Sequence, residues 1–296
     1  MRTGWKWFWG VLGALLVLAL AFGGYGVWQA RSMGFLREPV FETERPQLPP
    51  LSHPAVLVFS KTNSFIHKEA IPAAKELLHQ MAGERGWSIF LSDSGAVFNP
   101  EDLAKFDVVV WNNVTGDVLL PAQREAFRAW LEQGGGYVGI HAAGDNSHAA
   151  WPWYLETVIR TRFIGHPLEP QFQQAQLRIE QPPDPLVASL PDPWVRTDEW
   201  YSFAKSPRAP DVRVLVSIDE STYAPGSFFG KALAMGADHP MIWKHCVGRG
   251  RVFYAAPGHT AETYAEPEYR GLLEAAIAWA GRIGSQAVSP QPLDCE

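Results

Sequence analysis

The chain has 296 residues, 47% of them apolar and 19% charged, with a formal net charge of -6. That length accommodates one large domain and a substantial core. An acidic body with no cluster of Lys and Arg excludes nucleic acid as a partner, because neutralising phosphates takes grouped cations.

The first thirty residues read as a membrane anchor. Trp7 to Trp28 carries no charged side chain, and a helix of about 22 residues rises about 33 Å, enough to cross the hydrocarbon layer. Arg2 and Lys6 precede it, and Trp5, Trp7, Trp9, Tyr25 and Trp28 lie where interfacial aromatics belong. A cleaved signal peptide is the alternative, since Ala19-Leu20-Ala21 fits the A-x-A cleavage pattern. The apolar run continues past that point, which favours a retained single-pass signal-anchor. Arg31 and Arg37 after the helix weaken the positive-inside bias, and the N-terminal amine tips the orientation towards an extracytoplasmic domain, in a periplasm or at a cell surface. The chain thus divides into an anchor over 1–30, a Pro-rich linker over 31–54, an α/β domain over 55–283 and a C-terminal tail over 284–296. The linker carries Pro39, Pro46, Pro49, Pro50 and Pro54 and reads as an extended spacer.

From Ala55 short apolar runs alternate with helical patterns. Val56 to Ser60, Ser88 to Leu91, Asp107 to Trp111 and Tyr137 to His141 read as strands. Helices are predicted over Glu69 to Ala82, from an Asn99 cap through Pro100 to Leu103, and over Pro121 to Gln133. Strands alternating with helices imply right-handed crossovers and a doubly wound, mostly parallel sheet, an α/β fold. Beyond Pro152 the pattern loosens. A helix is predicted near Trp153 to Thr161, a strand over Val212 to Ile218, and a hairpin from Met241 to Cys246 and Arg251 to Ala256 around Val247-Gly248-Arg249-Gly250. Pro267 to Arg282 closes the domain as a helix.

Gly134, Gly136 and Gly139 spell GxGxxG, but they follow a helix and lead into a strand, the reverse of a dinucleotide site. Gly136 to Asp145 is more informative. An apolar strand runs into a small-residue turn, the architecture of a nucleophile elbow, with His141 in the position that Ser or Cys takes in hydrolases and amidotransferases. Imidazole cannot replace a thiolate in thioester chemistry, so a glutaminase is disfavoured. A core histidine bonded to a carbonyl is the structural alternative. Strand C-termini are where such sheets bind ligands, which favours a site role.

His67 follows the first strand, and His239, His245 and His259 lie in or beside the hairpin and the turn after it. Asp198-Glu199-Trp200-Tyr201 adds carboxylates beside aromatics. Converging His and carboxylate groups suit acid–base chemistry or a divalent metal such as zinc, with His67, His141, His239 and His259 as candidate ligands. No short HxH or HExxH spacing supports the metal independently. Trp200 and Tyr201 suit either core packing or stacking on a sugar ring. Cys246 and Cys295 have no metal-knuckle or CxxC spacing; a disulfide between them is open to a domain outside the cytoplasm, against which the place of Cys295 in a Pro-rich tail counts.

Together these segments resemble the trehalose-utilisation ThuA family, which has the class I glutamine-amidotransferase-like fold. The resemblance rests on Val58-Phe59-Ser60-Lys61-Thr62 with Phe65 and His67, on Trp111 to Asp117, and on Gly135 to Ala143 with Trp151 to Tyr154. It continues through Thr197 to Tyr201, Asp219 to Tyr223, Asp238-His239-Pro240 and Gly258-His259-Thr260. The resemblance implies a carbohydrate ligand, a disaccharide or an oxidised 3-keto-glycoside. His141, His259 and Glu199 are then the expected catalytic groups. His67, His239, Trp200, Tyr201, Thr115 and Gly116 are the expected substrate contacts. If an enzyme, the protein is expected to be a hydrolase or lyase. The runner-up is a non-catalytic module of the cell envelope that binds a sugar or a protein. A third reading makes Cys246 a displaced nucleophile, against which its place in a hairpin strand counts.

Overall fold

The computed structural model describes residues 2–284 and Cys295. Helix α1 (Arg2–Ser32) stands apart from the body with its apolar side chains exposed. Its segment Trp7–Ser32 is long and apolar enough to cross a membrane. The expected tail over 284–296 lies, apart from Gly284 and Cys295, outside the described residues.

Four strands and three helices alternate through the first half: β1 (Ala55–Phe59), α2 (Ala70–Arg85), β2 (Ser88–Ser92), α3 (Pro100–Leu103), β3 (Val108–Asn112), α4 (Pro121–Glu132) and β4 (Gly136–Ile140). β1, β3 and β4 are buried throughout, which is why they read as unbroken apolar runs and not as alternating ones. Asn99 caps α3 by accepting the Asp102 N–H, with Pro100 at the first helical position. Gly86, at φ 69°, ends α2 in the left-handed conformation. The strand that begins at Gly136 packs closely on the closing helix: a Cβ there would sit 2.5 Å from the Ala280 carbonyl carbon.

The second half adds β5 (Phe163–Gly165), β6 (Phe172–Ile179), β7 (Trp194–Glu199), β8 (Ser202–Phe203), β9 (Val212–Ile218), β10 (Ser227–Phe228), β11 (Lys231–Ala232), β12 (Pro240–Val247) and β13 (Gly250–Ala255). α5 (Ala261–Ala265) and α6 (Pro267–Ala280) close the domain. One nine-stranded sheet runs β2-β1-β3-β4-β13-β12-β9-β6-β7. Its first five strands are mutually parallel, and the rest extend it by antiparallel pairing. β5–β8 and β10–β11 are separate two-stranded antiparallel sheets, of which β10–β11 is a hairpin. The parallel half sends the loops after β1, β3 and β4 to one edge, and β7 and β13 deliver theirs to the same place.

Two features depart from the sequence reading. Cys246, on β12, is joined to Cys295, with Cα atoms 5.5 Å apart. The bridge joins residues 49 apart in sequence, a long-range pairing invisible in local composition. Half of a bridge cannot act as a nucleophile, which removes the Cys246 hypothesis. Secondly, the segment read as a spacer lies along the body. Glu42 pairs with the buried Lys61 and accepts the Gly95 N–H, and its carbonyl accepts from Gln123. Arg45 donates to both oxygens of the buried Asp102.

Burial works to raise the Asp102 carboxyl, but hydrogen bonds from Arg45, Asn99 and Lys105 outweigh it and bring it down to about 2. A carboxylate depressed by folding contributes stability above its unfolded pKa, and that contribution disappears as pH falls through the folded one. The window therefore lies between about pH 4 and about pH 2. With solvent screening around these contacts, the contribution is about 1 kcal/mol. Asp102→Asn is expected to flatten this part of the stability curve in urea titrations; an acid limb identical to wild type would contradict it.

Candidate functional site

The turn after β4 places the central histidine. His141 follows Ile140 directly and adopts φ 49°, a left-handed conformation costly for a residue with a Cβ. The strained elbow foreseen at Gly136 to Asp145 is therefore present. Small neighbours make it feasible: a Cβ on Gly144 would collide with the Tyr254 ring. Tyr254 in turn donates its hydroxyl to the His141 carbonyl at 2.7 Å.

The ring of His141 is fully buried and held at both nitrogens. Nδ1 lies 2.7 Å from the Ala256 carbonyl, an acceptor only, so Nδ1 carries the proton. Nε2 then faces His259 Nδ1 at 3.1 Å and Glu199 Oε2 at 3.3 Å. The third edge of this triangle, His259 Nδ1 to Glu199 Oε2, is 3.2 Å. His67 closes over it, its ring centroid 4.9 Å from that of His141 and 4.6 Å from that of His259. One nitrogen from each of the three histidines falls within 4.8 Å of the others. Tyr201 packs on the His141 ring at 4.2 Å.

Charge in this cluster is distributed unevenly. Burial acts to raise the Glu199 carboxyl, but hydrogen bonds from His141 and His259 hold it well below the usual carboxylate range. For His141, burial acts to lower the pKa, and the Glu199 carboxylate overcomes it, so the net shift is upward. His67 has no bonded carboxylate; burial and the neighbouring His141 and His259 push it well below the usual imidazole value. Its Nδ1 is buried without a hydrogen-bond partner.

Asp198, adjacent on β7, fixes the His259 turn. It accepts the backbone N–H groups of Gly258 at 2.9 Å and His259 at 3.1 Å, the Thr263 hydroxyl at 3.0 Å and the buried Arg196 guanidinium at 3.1 Å. Gly258, at φ 136°, gives the turn its shape.

Two cavities meet at His67, Phe65 and His259. One, of about 410 Å³, includes Glu199, Tyr201, His166 and Phe163 in its wall; the other, of about 610 Å³, is lined by Met33, Phe172, Thr197 and Glu262. Of the residues singled out in the sequence, His67, His141, His259, Glu199 and Tyr201 are brought together. His239 is not. Its Nε2 lies 2.7 Å from the Tyr201 carbonyl and its Nδ1 2.7 Å from Glu220, so both nitrogens are spent on fixing the backbone behind the cavity. Trp200 is fully buried with its indole N–H donated to the Gln173 carbonyl, outside both cavities. Thr115 donates its hydroxyl to the Phe65 carbonyl, and Gly116 donates its N–H to Ser147, so these two position loops.

His166 was missed. Its Nδ1 lies 2.9 Å from the Pro167 carbonyl and 3.2 Å from Glu199 Oε1, and it lines the smaller cavity. Gln171 donates to the same Glu199 oxygen at 2.5 Å. The motif Gly165-His166-Pro167 resembles the neighbourhoods of His239 and His259, which was the available signal.

A parallel sheet with a strained elbow after β4, and an imidazole where a thiol would act, defines a glutamine-amidotransferase-like fold without the glutaminase nucleophile. The chain belongs to the ThuA family, described as trehalose utilisation, whose model matches residues 55–280. It is similar to a ThuA-like protein from Bacteroides uniformis, with TM-score 0.65 and 22% identity over 79% of this chain and 94% of that one. A second ThuA-like protein, from Parabacteroides merdae, gives TM-score 0.58 and 19% identity over 83% and 95%. A cytoplasmic protein of Salmonella typhimurium gives TM-score 0.53 and 9% identity over 76% and 99%. Identities this low establish the shared fold alone. No curated protein matches the chain.

Proposed function

We propose that this protein is a carbohydrate-active enzyme whose His67, His141, His259 and Glu199 form a divalent-metal centre, with His166 moving the proton. The observation that carries the metal is the triangle of His141 Nε2, His259 Nδ1 and Glu199 Oε2, with edges of 3.1, 3.2 and 3.3 Å. A tetrahedral ion with bonds of about 2.0 Å separates its ligands by about 3.3 Å. The unpartnered Nδ1 of the buried His67 supports the same reading. So does the Ala256 carbonyl, which fixes the His141 tautomer with its Nε2 lone pair turned inward.

When bound, such an ion supplies a Lewis acid for a sugar hydroxyl or ketone oxygen. The family's link to sugars suggests a disaccharide or its 3-keto form as substrate. Ordinary glycosidases flank the scissile bond with two available carboxylates. Here Glu199 is enclosed by His141, His259, His166 and Gln171, and Asp145, the other carboxylate in the smaller cavity, is bound to Ser147. Imidazole chemistry beside a ketone suits this set better. In a 3-keto-glycoside the C2 hydrogen lies next to the carbonyl. His166, with Nδ1 turned to Pro167, leaves Nε2 to accept that proton as the C1–O bond breaks and a C1=C2 double bond forms beside the ketone; the protonated His166 then returns the proton to the departing aglycone oxygen.

The test is NMR of trehalose, related disaccharides and their 3-keto forms incubated with the zinc-loaded protein. The expected result is loss of the 3-keto glycoside with release of free sugar, slowed about 100-fold or more in His166→Gln. No product from any of these sugars, or turnover unchanged in both His141→Ala and His166→Gln, would refute the enzyme. Binding without turnover would instead mark a sugar-binding module.

A further inference from the structure

The end of α1 is built into the wall of the cavities. The Met33 carbonyl, one residue beyond α1, accepts the Ile66 N–H at 3.0 Å, and Ile66 directly precedes His67. The Phe35 ring packs on Phe65 at 5.5 Å. Arg37 donates to the carbonyls of Thr62 at 2.9 Å and Ser64 at 3.0 Å, clamping this junction to the loop after β1. Met33 lines the larger cavity and Phe35 the smaller one. Helix and cavity mouth are therefore separated by a few docked residues and not by a free tether.

The mouth is apolar on its outer side. Phe35, Leu168 and Phe229 all line the smaller cavity while exposed, and Phe229 is 86% exposed. Phe229 occupies the tip of the β10–β11 hairpin at φ 47°, a conformation that bulky side chains avoid. Its neighbour Phe228 turns inward, with its ring 5.3 Å from His166. A strained turn that lifts one phenyl ring out of the protein, with exposed Lys231 just behind it, has the form of an interfacial anchor. At the same end of α1, Tyr25 and Trp28 are exposed as an aromatic belt would be.

We propose that the mouth of this cavity lies in the membrane–water interface, with Phe229, Leu168 and Phe35 in lipid, and that its substrate is the sugar headgroup of a membrane glycolipid whose tail stays in the bilayer. The proposal rests on retention of α1 as an anchor and on the carbohydrate reading above. A free disaccharide makes no use of an apolar rim, whereas a glycolipid needs both a polar, histidine-lined interior and an apolar exit beside the membrane.

The experiment uses the full chain in phosphatidylcholine nanodiscs with and without glucosyl diacylglycerol. Nitroxide labels at 229 and 168 should report lipid immersion by oxygen-against-nickel accessibility, and a label at exposed Lys205 should report water. Binding of glucosyl diacylglycerol should weaken about tenfold or more in Phe229→Asp, the loss of one buried phenyl ring. Zinc stoichiometry and thermal unfolding should stay at wild-type values. Labels at 229 and 168 that read as aqueous overturn the proposal. So does binding of free trehalose in preference to the glycolipid, or glycolipid binding indifferent to both Phe229→Asp and Leu168→Glu. Immersed labels with no sugar of either kind bound would sink the carbohydrate reading while supporting the lipid-facing mouth.

Discussion

Glu199→Gln is expected to reduce turnover by about 100- to 10,000-fold and to weaken zinc binding by at least about 10- to 100-fold. The substitution preserves size and removes only charge. Glu199 receives His141, His259, His166 and Gln171 around its two oxygens, and its negative charge keeps the buried His141 pKa above the usual imidazole value. An amide offers one acceptor and presents N–H groups to nitrogens that must themselves remain free. Isothermal titration with zinc, and progress curves on a 3-keto-glycoside, check both halves. Wild-type affinity and turnover in Glu199→Gln would show that the carboxylate is a spectator.

The largest stability effect is expected at Asp198. This carboxylate collects Gly258, His259, Glu199, Thr263 and Arg196 around two oxygens with no exposure to solvent. Asp198→Ala leaves the Arg196 guanidinium buried, with Glu266 at 3.5 Å as its remaining carboxylate. Breaking a buried pair from one side costs about 3–5 kcal/mol. Two backbone N–H groups of the His259 turn also lose their acceptor, so the site should loosen along with the fold. Asp198→Asn keeps an acceptor and should cost less. Urea unfolding measures the difference; a loss below about 1 kcal/mol in Asp198→Ala would mean that the turn is held elsewhere.

This hub also explains what the sequence conceals. β1, β3 and β4 are legible because strands buried on both faces are continuously apolar, and the elbow at His141 follows from small residues after such a run. β7 is illegible because its pattern is inverted. Val195 is 49% exposed while Arg196 and Asp198 point inward, so alternation of hydrophobicity says nothing useful there. β6 alternates correctly, with Ala175, Leu177 and Ile179 inside, but its glutamines dilute the signal. His166 and His239 each stand before a proline. Only the long-range placement of β5 over Glu199, and of Glu220 against His239, decides which one faces the cavity. The docked strap over 33–54 carries its information in single polar contacts, which composition cannot show. The bridge between Cys246 and Cys295 likewise pairs residues 49 apart, which no local pattern encodes.

The divalent centre is tested most directly by X-ray absorption at the zinc edge, on protein loaded with one equivalent of zinc. A shell of four nitrogen and oxygen ligands at about 2.0 Å is expected, with imidazole outer-shell scattering that diminishes in His67→Ala and His141→Ala. Zinc that fails to bind at micromolar concentration would contradict the centre. So would a six-coordinate oxygen shell unchanged by either substitution.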